Sequence, residues 1–477
     1  MKKKFSAFIR FSNGLSGILF SCILLTGLNS CTKYFYNGLP VASIPTHIPL
    51  ALSVDSSKWV SWNIMFSARL NDASRTQQIN SIKDYVTNYL ALYGYIPSFR
   101  EIYCPCDSTL YNLNVTPLYA SGSSFQPPPP PPPPQGGSGG DIPYVASINN
   151  SLLTDVKKQI EDPNYNPNTG NKYTLNKIGT NSKLLAIMDT GLDPDYFDSQ
   201  ISQLIWNDPH RAKTLRNFTF NNPSLPDEYF NDDHLGKHGT AVTTIALQAM
   251  GNVPSYPHIM VLKVLDKNES GSTFNVGCAL SYAIQNHATI INASLGYYPT
   301  THDIPDPVLF HYLNLCNTAG TDSIFVFAAA GNLPLPHNNP LCSSPTPTGN
   351  NLSDVTGRLF YPACFSDNLH NVITITGLKD FNQSCIYQNY SEKYVSIGVL
   401  NQSPSCCSFS LQSINLGFEG SSFATPFASG KVMGRLLSSV GATVPSIRQC
   451  INFVTQTNGS LLSVTKDGRY IDNGSSQ

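Results

Sequence analysis

Charge is scarce in this chain. Charged residues fill 12% of its 477 positions, roughly half the ~25% usual for soluble proteins. Basic and acidic residues nearly cancel, 29 against 30. That leaves no basic excess to neutralise phosphates, which argues against a nucleic-acid partner. It also excludes a highly charged disordered chain, which combines high net charge with few apolar residues, because 41% of this sequence is hydrophobic. No stretch reaches the ~18 uninterrupted apolar residues of a membrane-spanning helix. The length is about three times that of a ~150-residue domain, so two or three folding units with a large core are expected.

The first thirty residues read as an export signal. Lys2, Lys3, Lys4 and Arg10 form a basic head, and a short apolar run from Leu15 to Leu28 follows. A charged head, a short apolar stretch and small residues at its end mark a cleaved secretory segment. The sequence Leu28-Asn29-Ser30-Cys31 is similar to a bacterial lipobox, whose processing leaves a lipidated cysteine at the new N-terminus. Cys31 is therefore the expected lipidation site, and its acyl chains the expected membrane anchor of an exported cell-envelope protein. Without lipidation the chain would be secreted.

Cysteines number twelve. Export permits disulfides, but the ten beyond Cys22 and Cys31 do not fix their own pairing. Cys278 and Cys316 fall in apolar helical stretches, where buried free thiols are expected. Cys104-Pro105-Cys106 is a lone C-x-C pair, too little by itself for a zinc site of four ligands.

The clearest boundary is residues 121–140. Eight consecutive prolines, Pro127 to Pro134, are followed by Gln135-Gly136-Gly137-Ser138-Gly139-Gly140. Such a run forms a stiff polyproline rod about 25 Å long with a flexible joint, and it is expected to act as a spacer. Before it, residues 32–120 are expected to form a small α/β unit. Trp59 to Leu70 is strand-like, Ala73 to Tyr93 has helical spacing, and Phe99 to Leu113 returns to strand character. After it, residues 141–477 alternate apolar runs with helical patterns. Leu184–Met188, Ile259–Leu262, Thr289–Ile291, Ile324–Phe327 and Val372–Ile375 imply an α/β domain whose parallel sheet is buried on both faces. In such sheets ligands collect at the carboxyl ends of strands.

Four segments stand at such ends or open a helix. They are Asp189-Thr190-Gly191, His238-Gly239-Thr240-Ala241-Val242, Ala328-Ala329-Ala330-Gly331-Asn332, and Gly420-Ser421-Ser422-Phe423-Ala424-Thr425-Pro426. In these motifs and their order the chain resembles the subtilisin-like serine proteases over roughly residues 180–435. The resemblance implies a three-layer α/β fold with a mostly parallel central sheet, preceded by a small propeptide-like α/β domain. It also implies a serine endopeptidase working through an acyl-enzyme. Ser422 would attack the peptide carbonyl, His238 would take and return the proton, and Asp189 would fix and stabilise the imidazole. Asn332 would hydrogen-bond the developing oxyanion together with the Ser422 backbone N–H. Pro426 is expected in the first helical turn, where its missing N–H is no loss.

Two more segments resemble the family's substrate cleft, Asn292-Ala293-Ser294-Leu295-Gly296 and Glu269-Ser270-Gly271-Ser272-Thr273. Ser294, Leu295, Gly296, Ser270 and Gly271 are expected to flank an extended peptide that pairs as an added strand. Protein or peptide substrates are the expected partners, and nothing in the sequence sets the oligomeric state. The chemistry requires no cofactor. Structural calcium is common in the family, but Asp193, Asp195 and Asp198 match no ligand pattern. Thr243-Thr244 and Ser421, Phe423 and Thr425 depart from the commoner family residues, and the region after Tyr390-Ser391 carries Cys406-Cys407. Two alternatives stay open: a catalytically silent binding protein on the same fold, and a processing protease dedicated to one partner. A propeptide reading of the small unit predicts self-cleavage between Pro134 and about Asn150.

Overall fold

The computed structural model describes residues 60–66, 72–119, 144–148, the single positions 150, 152, 172, 173 and 175, and residues 180–473 apart from 199, 221–224, 300–305, 319–322, 334–348, 355–357, 386, 401–407, 412–415 and 440–444. The export signal, Cys31, the 121–140 segment and Cys406-Cys407 lie outside the described residues.

Near the N-terminus, β1 (Val60–Phe66), α1 (Asp72–Ala91), β2 (Tyr95–Cys104), β3 (Asp107–Tyr119) and β4 (Tyr144–Ile148) build a sheet in the order β2-β3-β1-β4. All its pairs are antiparallel. Helix α1 places Ile79, Ile82, Val86 and Leu90 on one face, the three-and-four spacing of an amphipathic helix. They pack against Trp62, Ile64, Leu113 and Val115. The single strand expected over Phe99–Leu113 is a hairpin instead. Cys104 pairs with Asp107, and Pro105 and Cys106 form the turn, proline presetting the backbone angle of its first central residue. Strand-like residues run continuously through that turn, which is why periodicity did not reveal it.

Strand β4 corrects the expected boundary at residue 141. It lies beyond the proline segment, yet it pairs with β1 from Trp62↔Ile148 to Phe66↔Tyr144. Residues 121–140 thus connect two strands of one sheet rather than separating two domains.

The larger domain centres on eight strands ordered β13-β14-β10-β9-β8-β7-β5-β6. These are β5 (Thr180–Asp189), β6 (Tyr256–Lys263), β7 (Ile290–Ala293), β8 (Phe325–Ala329), β9 (Val372–Leu378), β10 (Ile397–Leu400), β13 (Gln456–Thr457) and β14 (Arg469–Asp472). Every pair is parallel except β13 with β14. A separate ribbon joins β11 (Ser408–Leu411) to β12 (Leu416–Glu419). All five apolar runs read from the sequence lie within or overlap β5 to β9.

Side-chain alternation along β5 builds two cores at once. Leu185 and Ile187 pack with α2 (His238–Ala249), α5 (Ser421–Leu437) and α6 (Ile447–Val454), while Leu184, Ala186 and Met188 pack with α3 (Thr273–Gln285) and α4 (Pro307–Thr318). The result is the expected three-layer α/β arrangement. Helices α2 and α5 touch backbone to backbone, because a Cβ on Gly430 would come within 2.2 Å of the Ala246 carbonyl oxygen. Cys278 on α3 and Cys316 on α4 are buried free thiols.

The small sheet sits on the α3–α4 layer by its hairpin tip. Asp107 Oδ2 accepts hydrogen bonds from Ser281 Oγ at 2.9 Å and Tyr312 Oη at 2.7 Å, and Gln285 Nε2 donates to the Cys106 carbonyl at 2.9 Å. Asn63 on β1 donates to Thr273 Oγ1 at 2.8 Å. Leu110 and Met65 join the larger core.

Candidate functional site

Asp189 ends β5, and the chain turns away through Gly191. That residue has a φ of +120°, and a Cβ on it would fall 2.4 Å from the Phe230 carbonyl oxygen, so only glycine fits. Asp189 Oδ1 accepts from the Thr190 backbone N–H at 2.7 Å and faces His238 Nδ1 at 2.6 Å. Both side chains are buried. His238 opens α2 directly after Lys237, whose backbone is left-handed at φ 54°. Burial pushes the imidazole pKa down, but the charge and hydrogen bond of Asp189, helped by Glu269 and Asp232, raise it to about 9. Its other nitrogen, Nε2, is buried without a hydrogen-bond partner.

Ser422 is the second residue of α5, and its neighbour Phe423 lies with its ring 5.1 Å from the His238 ring. The Ser422 hydroxyl donates to the Ser294 carbonyl at 3.3 Å, so it is turned toward Ser294 rather than His238. Such bonds often tighten only when substrate arrives.

Pro426 is not in the first turn as expected but is the sixth residue of α5. There its ring removes the N–H that would have bonded the Ser422 carbonyl four residues back. Ser294 fills the gap, its hydroxyl donating to that carbonyl at 2.7 Å. The proline and Ser294 therefore act together on the backbone of the candidate nucleophile.

Asn332 follows β8 across Gly331, which has a φ of +88°. Its amide oxygen accepts from the Ser421 backbone N–H at 2.9 Å, and its carbonyl accepts from Tyr298 Oη at 3.0 Å. The amide is thereby pinned, and Nδ2 is left buried with no acceptor. An unmet buried donor of this kind costs about 1–3 kcal/mol, and such orphans in a native structure call for an explanation.

The expected cleft residues divide. Ser270 and Gly271 lie on a segment that already takes backbone hydrogen bonds from the chain itself. The Leu152 N–H donates to the Gly271 carbonyl at 3.0 Å, and the Thr273 N–H donates to the Asn150 carbonyl at 3.0 Å. Glu269, just before this segment, helps to raise the His238 pKa. Ser294 lies against Ser422, as described. Leu295 is packed into the core, and a Cβ on Gly296 would meet the Phe360 ring at 2.3 Å.

Sequence reasoning missed the braces around this site. Asp232 Oδ2 accepts from the Thr240 N–H at 2.9 Å and its hydroxyl at 2.8 Å, fixing the first turn of α2. Lys263, fully buried, donates to the Thr190 carbonyl and to Asp233 Oδ1, the latter at 2.6 Å. A lone lysine directly after the apolar residues of β6 was the available signal. Asp193 and Asp198 are engaged elsewhere. Asp193 pairs with Lys237 at 3.0 Å, and Asp198 accepts from the Leu175 and Gln200 N–H groups. Among the described residues no group of three or more His, Cys, Asp or Glu is placed to hold a metal ion.

Fold and site define the class: a subtilisin-like α/β domain with aspartate, histidine, asparagine and serine gathered at strand ends and helix starts. The Subtilase family model matches residues 180–451, more than half of the chain, and the chain belongs to that family. Among curated proteins, it is 25% identical over 279 residues to the "Thermophilic serine proteinase" of Bacillus sp. (strain AK1), covering 57% of this chain and 56% of that one. It is 27% identical over 185 residues to the "Intracellular serine protease" of Paenibacillus polymyxa, covering 38% and 47%. The chain thus spans about half the length of the curated relatives it matches. Similar solved structures include that of a lanthipeptide protease, at TM-score 0.43 and 17% identity, covering 61% of this chain and 85% of that one. Another is a cold adapted subtilisin-like serine proteinase, at TM-score 0.41 and 15% identity, covering 62% and 90%.

Proposed function

We propose that this chain is a serine endopeptidase that hydrolyses peptide bonds through an acyl-enzyme. Family membership supports the reading, as do two curated relatives named as serine proteases. The observation that carries it is the pair of buried, unpartnered polar atoms beside the Ser421–Phe423 turn, His238 Nε2 and Asn332 Nδ2. One is an imidazole nitrogen with its partner fixed by Asp189, fit to accept a proton from Ser422. The other is a pinned donor, fit to receive an oxyanion. Neutral His238 takes the Ser422 proton as the hydroxyl attacks, then delivers it to the leaving amine. Water repeats the cycle on the acyl-enzyme. The test is casein hydrolysis by the purified chain against Ser422→Ala. Loss of hydrolysis in the variant supports the proposal, whereas equal rates refute it. Cleavage of one co-exported protein with casein untouched would instead favour a dedicated processing protease.

The Asn150–Leu152 segment also bears on self-processing. Backbone hydrogen bonds to Gly271 and Thr273 hold Leu152 and Asn150 against the 271–273 segment. We infer that the cut falls C-terminal to Leu152 rather than between Pro134 and Asn150, where β4 and the paired Asn150 are already held. Mass spectrometry of the mature N-terminus checks this. A start shortly after Leu152 in the active chain, with Ser422→Ala left uncut, is the expected result. A start before Asn150 would contradict it.

The lipobox-like segment supports an exported protein anchored by acyl chains on Cys31. Cys31→Ala is expected to leave the membrane fraction or to accumulate as unprocessed precursor. A processed variant that stays membrane-bound would contradict that anchor.

A further inference from the structure

Two glycines of the site segments close on one aromatic ring. Gly296 lies two residues beyond Ser294, where the chain leaves β7, and Gly331 directly precedes Asn332, where it leaves β8. The two strands are parallel neighbours, so these segments stand side by side at the carboxyl edge of the sheet, where ligands bind. The space between them is filled. A Cβ on Gly296 would lie 2.3 Å from Phe360 Cε1, and one on Gly331 would lie 2.7 Å from Phe360 Cδ1. Both glycines therefore touch the same ring.

Phe360 is fixed as well as buried. Its carbonyl accepts from the Cys364 N–H at 2.9 Å, and the next residue, Tyr361, exchanges two backbone hydrogen bonds with Tyr297 at 2.8 and 2.9 Å. The Phe360 ring meets the Tyr298 ring edge-on, with centroids 4.8 Å apart. Tyr298 is held in turn by its bond to the Asn332 carbonyl and by the Arg358 guanidinium, 4.7 Å from its ring centre.

We propose that Phe360 makes this chain cleave after small residues such as glycine, alanine or serine and reject large apolar or aromatic ones. The inference rests on the peptidase reading and adds a substrate class to it. The reacting atoms set the geometry. The carbonyl carbon under attack must meet Ser422 Oγ, which is 3.3 Å from the Ser294 carbonyl, and its oxygen must meet Asn332 Nδ2. The residue before the cut is bonded directly to that carbon, so its side chain has to lie beside Ser294 and Asn332. Residues 294–296 and 331–332 would leave a slot there, walled by the two glycines, but the protein's own ring occupies it. A side chain much longer than that of serine would overlap the ring, and a close-packed interior absorbs little added volume. Selection then comes from steric exclusion rather than from attraction.

The experiment measures kcat/KM for matched peptides that differ only in the residue before the cut, alanine or phenylalanine. It also maps the ends of casein fragments made by the native chain and by Ser422→Ala. The native chain should favour the alanine peptide by roughly 10²-fold, and its Ser422-dependent cuts in casein should follow small residues. Phe360→Ala should gain cleavage of the phenylalanine peptide and cut casein after leucine, phenylalanine and tyrosine, with Phe360→Leu between the two. Circular dichroism establishes that the variants fold, and where one does not, the native ratio decides alone. Native cuts after large residues, absent in Ser422→Ala, overturn the proposal and leave the peptidase reading standing. An unchanged preference in folded Phe360→Ala also overturns it. No Ser422-dependent cleavage of casein or of either peptide overturns the general peptidase reading and this proposal with it.

Discussion

Asp189→Asn is expected to fold and to lose turnover by about 10⁴, the size of the same change in a related triad. The physical cause is electrostatic. Asp189 supplies the leading contributions that raise the His238 pKa to about 9 against the opposing pull of burial. Asparagine keeps a hydrogen-bonding oxygen for the Thr190 N–H but not the charge that stabilises imidazolium as Ser422 loses its proton. The pH profile carries a second signature. In the native chain the raised pKa means that His238 becomes a free base only as pH climbs toward 9, so kcat/KM should still rise well above the ordinary histidine value of ~6.5. In Asp189→Asn that acid limb should move down, because the main raising cause is gone while burial remains. The same shift has a stability consequence. A raised histidine pKa stabilises the fold fully below ~6.5, and that contribution fades as pH passes about 9. Near-normal rates with an unmoved limb would mean that Asp232 or Glu269 serves His238 instead.

Asn332→Ala is the second large effect, with turnover expected to fall by about 10²–10³ and substrate affinity little changed. The alanine variant also strips the Ser421 N–H of its acceptor, at about 1–3 kcal/mol of stability. Asn332→Asp separates the two roles. Aspartate keeps an oxygen for Ser421 but turns the free donor into an acceptor, so it should fold normally and lose as much turnover or more. Steady-state kinetics on both variants decide the point. An effect confined to affinity, or full activity in Asn332→Asp, would remove Asn332 from the oxyanion role.

The parallel sheet was legible because β5 to β9 are runs of apolar residues buried on both faces, a pattern few other structures produce. The four site motifs stood out by their order and their resemblance to the subtilisin-like family, and some of them hold a glycine that the backbone requires, such as Gly191 and Gly331 at positive φ. What escaped was tertiary. No periodicity marks Pro105-Cys106 as a turn between two equally strand-like segments. The membership of β4 in the small sheet depends on pairing with β1 across more than seventy residues, while the proline run suggested a boundary. The Pro426–Ser294 exchange was hidden for a similar reason. Reading proline as harmless at a helix start is sound one turn earlier, but the start of α5 is set by Gly420 and the sixth position needs a donor from another strand's end. Asp232 carried no motif, and Lys263 stood out only as a lone charge beside apolar residues; their burial and their hydrogen bonds reveal their work.

Fluorophosphonate labelling tests the central claim most directly, because the reagent reacts with a serine only where a base and an oxyanion site activate it. The native chain should take up one label, located at Ser422 by peptide mapping, and Ser422→Ala should take up none. A folded native chain that stays unlabelled, or a label that persists in Ser422→Ala, would contradict the account.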